Sequence, residues 1–147
     1  MLRLDDYLPY RLSVAANEVS RLVARAYQDQ FGITIPQWRI VANLAEHGPL
    51  TPLEIGRRAV MDKVTVSRAS QGLVRRALLE RQANGRDGRS HVLSLSEGGK
   101  ALYETVAPMA LALERALLDQ WSEGQIQELH DRLRQLQRTA SVLAAGR

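Results

Sequence analysis

The side chains best equipped for chemistry in this 147-residue chain are cationic, and they are concentrated in its middle. From Arg57 to Arg89 nine basic residues stand against three acidic ones, a local +6 on a chain whose net charge is +4, so the remainder carries −2. Such a block is an electrostatic footprint for a polyanion, because each phosphate neutralised releases condensed counterions; its competitor is a solvated charged surface. Lys63, Val64, Thr65, Ser67 and Arg68 crowd one short stretch of the block, and Arg86, Asp87 and Arg89 another. An arginine can bond a guanine edge with both arms, hydroxyls can bond bases or phosphates, and a valine can touch a thymine methyl. Catalytic chemistry, by contrast, lacks its parts. The three histidines, His47, His91 and His130, are far apart, there is no cysteine, and neither a phosphate-cradling glycine loop nor a Gly-x-Ser-x-Gly elbow occurs. These absences argue for a binding protein and against an enzyme, imply no cofactor or metal, and exclude thiol-based sensing.

Those side chains need elements to position them. Leu8, Leu12, Ala15, Val19, Leu22 and Ala26 recur at spacings of three and four, which predicts one long helix from Tyr7 to Phe31, ended by Gly32. Pro36 suits a first helical position, so Gln37 to Glu46 reads as a second helix, closed by Gly48-Pro49. Thr51 and Glu54 form a capping box around Pro52 and open a short third helix to about Ala59. Asp62 caps a fourth helix to about Arg76, with Val66, Ser70, Leu73, Val74 and Ala77 facing inward.

The period then changes to alternation. Leu79 and Arg81 on one side and Val92 to Leu95 on the other flank Asn84-Gly85-Arg86-Asp87-Gly88-Arg89, a β-hairpin with a basic tip. Ser96 and Glu97 open a fifth helix through Tyr103, Val106, Ala110, Leu113 and Leu117, where Pro108 predicts a kink. A last helix, capped by Ser122 and Glu123, carries Ile126, Leu129, Leu133, Leu136, Ala140 and Leu143 as a heptad seam. Such a seam would expose a contiguous apolar patch on a monomer, which argues for a dimer; intramolecular packing is the alternative.

Short helix, turn, short helix, turn, basic helix and basic-tipped hairpin make the plan of a winged helix-turn-helix. The expected fold is therefore mainly α with a small β-hairpin wing, flanked by N- and C-terminal helices. Residues 1–147 are expected to form one domain, in which 36–96 would bind DNA. The fourth helix would enter the major groove with Lys63, Val64, Thr65, Ser67 and Arg68, and Arg86 and Arg89 the minor groove, with Asp87 orienting one of them. Apolar runs are far shorter than the roughly 20 residues of a bilayer span. No signal-peptide core opens the chain, so a cytoplasmic location is expected.

The sequence resembles the MarR family of bacterial regulators, on the words Met61-Asp62-Lys63-Val64-Thr65-Val66-Ser67-Arg68, Leu73-Val74-Arg75-Arg76-Ala77-Leu78-Leu79-Glu80-Arg81 and Gly85-Arg86-Asp87-Gly88-Arg89-Ser90, with Leu93-Ser94-Leu95-Ser96-Glu97-Gly98-Gly99 following. One departure is Ala77, where the family usually has glycine, so the turn into the wing is expected to differ slightly. The resemblance implies a homodimer on a palindromic operator in double-stranded DNA, acting as a transcriptional regulator, most simply a repressor, with N- and C-terminal dimerisation helices, 1–31 and 97–147, that pair through Leu8, Leu12, Ile126, Leu129, Leu133, Leu136 and Leu143. Leu8-Pro9-Tyr10-Arg11-Leu12 and Pro36-Gln37-Trp38-Arg39 look like the branch that controls aromatic-acid catabolism. That likeness implies release by a small aromatic carboxylate or its thioester, held by Tyr7, Arg11, Trp38 and Arg39. Arg11 can clamp a carboxylate and an aromatic ring can stack on the ligand. The plainer alternatives are an Arg11 paired within the chain, a Trp38 that is ordinary core, and a DNA-binding protein with no small-molecule ligand.

Overall fold

The computed structural model describes residues 1–85, 88 and 90–146, and it is mostly helical with one two-stranded antiparallel hairpin. After a short 3-10 turn at Leu4–Asp6 come α1 (Leu8–Ala24), α2 (Gln28–Phe31), α3 (Ile35–His47), α4 (Pro52–Ala59) and α5 (Lys63–Arg75). Then follow β1 (Leu79–Ala83), β2 (His91–Leu95), α6 (Glu97–Leu117) and α7 (Glu123–Ala145). The chain divides into two compact units, Met1–Leu113 and Glu114–Arg147. Among the described residues no helix is long and apolar enough to cross a membrane.

The first helix is shorter than its apolar stripe suggests. Ala24, Ala26 and Tyr27 are all buried, and in a continuous helix advancing about 100° per residue they would spread over about 160° of its surface, wider than a single packed stripe. The chain tightens instead. Arg25, Ala26 and Tyr27 donate to carbonyls only three residues back, Tyr27 leaves helical geometry at φ −140°, and α2 resumes before Gly32 ends it in the left-handed region at φ 63°. The single helix expected from Tyr7 to Phe31 is therefore two helices with a corner between them.

α3 begins earlier than Pro36 alone indicates, because Thr34 and Gln37 form a reciprocal capping box, with bonds of 3.2 and 3.0 Å. The box expected at Thr51 and Glu54 is present, and α4 starts at Pro52. α7 is capped by Ser122 with Gln125, three residues on, rather than with Glu123; only the third residue of the first turn can reach back to the cap's N–H.

In the first unit α3, α4 and α5 pack on one another around Ile40, Val41, Leu44, Ile55, Val66 and Leu73, all buried. The hairpin closes this core with Leu79 and Leu93. β1 and β2 pair in the register Leu79↔Leu95 and Arg81↔Leu93. Leu50, just before α4, adds a backbone bridge to Leu93 through reciprocal bonds of 3.1 and 2.8 Å, which hold the wing's base against the helix-turn-helix. The first turns of α6 complete the core with Gly99, Leu102 and Val106. A Cβ on Gly99 would stand 2.1 Å from the Leu78 carbonyl oxygen, so only glycine lets α6 start this close to the strand. In the second unit, α7 leaves Leu129, Leu133, Leu136 and Leu143 exposed.

Candidate nucleic-acid interface

α5 is amphipathic in a way that sorts its residues into two jobs. Val66, Ala69, Ser70 and Leu73 recur at spacings of three and four and are buried against α3 and α4. The opposite face carries Val64, Ser67, Arg68 and Gln71, all exposed, with exposed Lys63 at its N-terminal end. Among the described residues neither Lys63 nor Arg68 is ion-paired. The chain thus presents two unpaired cations, a hydroxyl, an amide and a valine along one edge of a helix, the inventory that reads base edges and phosphates.

The start of that helix is secured electrostatically. Asp62 accepts from the Thr65 N–H at 2.8 Å through one carboxylate oxygen and from the Thr65 hydroxyl at 2.9 Å through the other. The two bonds hold the Asp62 carboxyl below its ordinary value of 3.8, the backbone bond contributing most. In consequence the Thr65 proton is committed, and in the free protein Thr65 can offer a ligand only acceptor lone pairs. Ser67 is different: its oxygen accepts from the Gln71 side chain at 3.1 Å, leaving its own proton for a phosphate or base. Gln71 was not singled out by motif, although its spacing from Ser67 and Arg68 places it on their face; an amide there can bond adenine.

The far end of α5 is clamped. Arg76 donates from Nη2 to the Phe31 carbonyl at 2.6 Å and from Nη1 to the Gly32 carbonyl at 3.2 Å. Ala77, expected to face inward from the helix, lies beyond its end at φ 57° and is exposed. The chain must reverse there into β1, which calls for a left-handed residue. Ser96 then donates to the Ala77 carbonyl at 2.6 Å and accepts from the Gly99 N–H at 3.0 Å, pinning the wing's exit and the start of α6 to the end of α5. The wing-tip residues Arg86, Asp87 and Arg89 lie outside the described residues.

The residues expected to hold an effector fall in two places. Tyr7 and Arg11 are exposed one turn apart at the start of α1, and Arg11 makes no ion pair among the described residues. Trp38, half-buried on α3, stacks on Tyr27 at 5.4 Å and on Tyr103 at 5.8 Å. Burial pushes the Tyr27 phenol up in pKa, while the charge of Arg39 opposes it. No hydrogen bond, ion pair or ring contact joins the Tyr7–Arg11 pair to Trp38 or Arg39 among the described residues. An open groove of about 600 Å³ runs past Leu44, Pro49, Leu95, Lys100 and Tyr103, and none of the four lines it.

Comparison with known proteins agrees with this geometry. Residues 31–90 match the MarR family model. The crystal structure of a probable transcriptional regulator from Pseudomonas aeruginosa is 32% identical, with a TM-score of 0.79, over 91% of this chain and 99% of that one. A MarR/EmrR family regulator from Acinetobacter is 26% identical and superposes with a TM-score of 0.87 over 95% of this chain and 99% of its own. The chain belongs to the MarR family. It is accordingly a DNA-binding transcriptional regulator with a winged helix-turn-helix, in which α4 and α5 are the two helices of the motif and β1–β2 the wing. A more distant fold-mate is BpsR of Bordetella bronchiseptica, whose DNA binding is regulated by 6-hydroxynicotinic acid. It is 19% identical, with a TM-score of 0.79 over 88% of this chain and 98% of that one, a likeness of fold.

Proposed function

We propose that this MarR-family chain acts as a homodimeric repressor that reads a palindromic operator with α5 in the major groove and is released by a small aromatic carboxylate or its thioester. The observation that carries the DNA contact is the outer face of α5, where Lys63, Val64, Ser67 and Arg68 stand exposed beside a Thr65 locked to Asp62. Arg68 is assigned to guanine, Ser67 and Lys63 to phosphate, and Arg86, Asp87 and Arg89 to the minor groove beside it.

Dimerisation is supported by apolar side chains that the chain leaves uncovered. Leu8 and Leu12 on α1 and Leu129, Leu133, Leu136 and Leu143 on α7 are exposed, and Ile126 is only partly buried. A second copy covering them would bring residues 1–31 and 97–147 into the dimerisation role and leave 36–96 to the DNA. Two-fold symmetry then sets the α5 helices about 34 Å apart, one turn of the duplex.

For the effector, Arg11 supplies a guanidinium with no ion pair among the described residues and Tyr7 an aromatic ring one turn away. Trp38 and Arg39 would complete the site from α3, with Trp38 held by its two tyrosines. The Bordetella fold-mate responds to a ligand of this class, an aromatic acid. Release requires that the ligand favour a dimer whose α5 spacing no longer matches the duplex, since equal affinity for both forms would shift nothing.

The experiment is a competition. A duplex is selected from a random pool by the protein, then challenged with its scrambled sequence and with hydroxybenzoates, hydroxycinnamates and their coenzyme A thioesters. A palindromic winner that is released by at least one acid from the parent, and not from Arg11→Ala, supports the reading. Equal affinity for selected and scrambled duplexes overturns the specific-regulator reading, and unchanged release from Arg11→Ala overturns the effector site.

A further inference from the structure

The turn joining α4 to α5 contains a residue that the chain alone does not reward. Val60 sits in the left-handed region at φ 52° and ψ 53°, where its N–H and that of Met61 both bond the Gly56 carbonyl to end α4. Glycine or asparagine is the residue this conformation favours, because a branched Cβ crowds the neighbouring carbonyl. Strain of that kind persists where something else makes the side chain useful. Packing within the chain does not: Val60 is 77% exposed. It also has company. Leu53, the second residue of α4, is 64% exposed and Val64, the second residue of α5, is 61% exposed. Arg57, Arg58 and Lys63, all exposed, stand close in sequence on either side. Exposed apolar and cationic side chains this close in sequence, in the turn that leads into α5, suit the surface of a duplex, where thymine methyls lie among phosphates.

We propose that Val60 is a DNA-contacting residue, its isopropyl group packing beside Val64 against the C5-methyl of a thymine at the edge of each half-site. This rests on the reading that the outer face of α5 meets the major groove. It assigns the turn, beyond the helix, a share in sequence preference, and it explains why a strained valine stands where glycine would be relaxed.

The test uses Val60→Gly and Val60→Asn in the full chain, with a duplex selected from a random pool by the parent and a copy carrying deoxyuridine for thymine. Both variants are expected to melt at or above the parent, since each relieves the turn. Both are expected to bind the selected duplex about threefold to tenfold more weakly, the scale of one or two buried methyl groups. The parent should lose a similar factor on the deoxyuridine duplex, where the variants lose little more. Variants that bind as tightly as the parent, that weaken equally on both duplexes, or that melt well below the parent overturn the proposal. If those variants bind normally while Arg68→Ala does not, this inference alone fails; if the pool yields no enriched duplex, the reading beneath it fails as well.

Discussion

The guanidinium of Arg76, immediately after α5, lies 2.6 Å from the carbonyl oxygen of Phe31, the last residue of α2. The same side chain reaches Gly32 at 3.2 Å. Terminal helix carbonyls lack partners within their own helix and carry the negative end of its dipole, so a forked cation satisfies two of them at once. A segment 44 residues away in sequence is thereby tied to the end of α5. Arg76→Ala should lower stability by about 1 kcal/mol, the worth of hydrogen bonds at an exposed site. Arg76→Lys should recover only part of it, because one ammonium cannot span both carbonyls in the same fork. Urea midpoints of the three proteins check this.

Ala77 gives a prediction of opposite sign. At φ 57° its Cβ is crowded, and the carbonyl that follows is held by Ser96 at 2.6 Å, so the turn cannot relax by moving. Ala77→Gly should raise stability by about 0.5–1 kcal/mol, the left-handed penalty less the backbone entropy of glycine. A rise in the urea midpoint with unchanged slope is the expected reading.

Asp62 makes the helix-turn-helix sensitive to acid. Its folded carboxyl is held below 3.8 by bonds from the Thr65 N–H and hydroxyl. A depressed folded value means stabilisation that is fully present above the unfolded value and lost as the pH falls through the folded one. Asp62→Asn keeps a capping oxygen and removes the charge. The melting difference between parent and variant should be constant near neutrality and shrink only below the ordinary carboxylate value of 3.8. Melting curves taken through that window measure it; a difference that persists at the acid limit would show that the charge is not what Thr65 rewards.

How much of this was legible beforehand follows from how local each feature is. Thr51 with Glu54, Asp62 before Lys63, and alternation resuming at Leu79 are encoded within a few residues, and α4, α5 and the hairpin appear where they indicate. Thr34 with Gln37 and Ser122 with Gln125 carry the same signature, but Pro36 marks a start within the first turn of α3 and Glu123 stands one residue, not three, from its cap. The corner at Arg25–Tyr27 could not be read locally, because the Leu22–Ala26 spacing continues the helical period and only burial of Tyr27 against Trp38 breaks it. The Leu50–Leu93 bridge and the Arg76 clamp join segments more than forty residues apart, beyond any periodicity. At the interface, the outward positions of α5 were legible from spacing; that the Thr65 proton is committed to Asp62 was not.

The proposed pairing of two chains makes a prediction about mass. Leu133 and Leu136 lie exposed on α7, at the middle of the heptad seam. Leu133→Asp with Leu136→Asp should convert a species of twice 16.4 kDa into one of 16.4 kDa in sedimentation, while the helical signal of the first unit persists. Duplex binding should weaken steeply, since half-sites would then be held one at a time.

The most direct test of the account is Arg68→Ala, measured on the selected duplex and on its scrambled copy at a single salt concentration. Arg68 is exposed and not ion-paired among the described residues, so its loss leaves the fold intact. Loss of a bidentate guanine contact should cost roughly 1–3 kcal/mol per half-site on the selected duplex and far less on the scrambled one. An equal loss on both duplexes would make Arg68 a phosphate contact, and no loss on either would contradict the placement of α5 in the major groove.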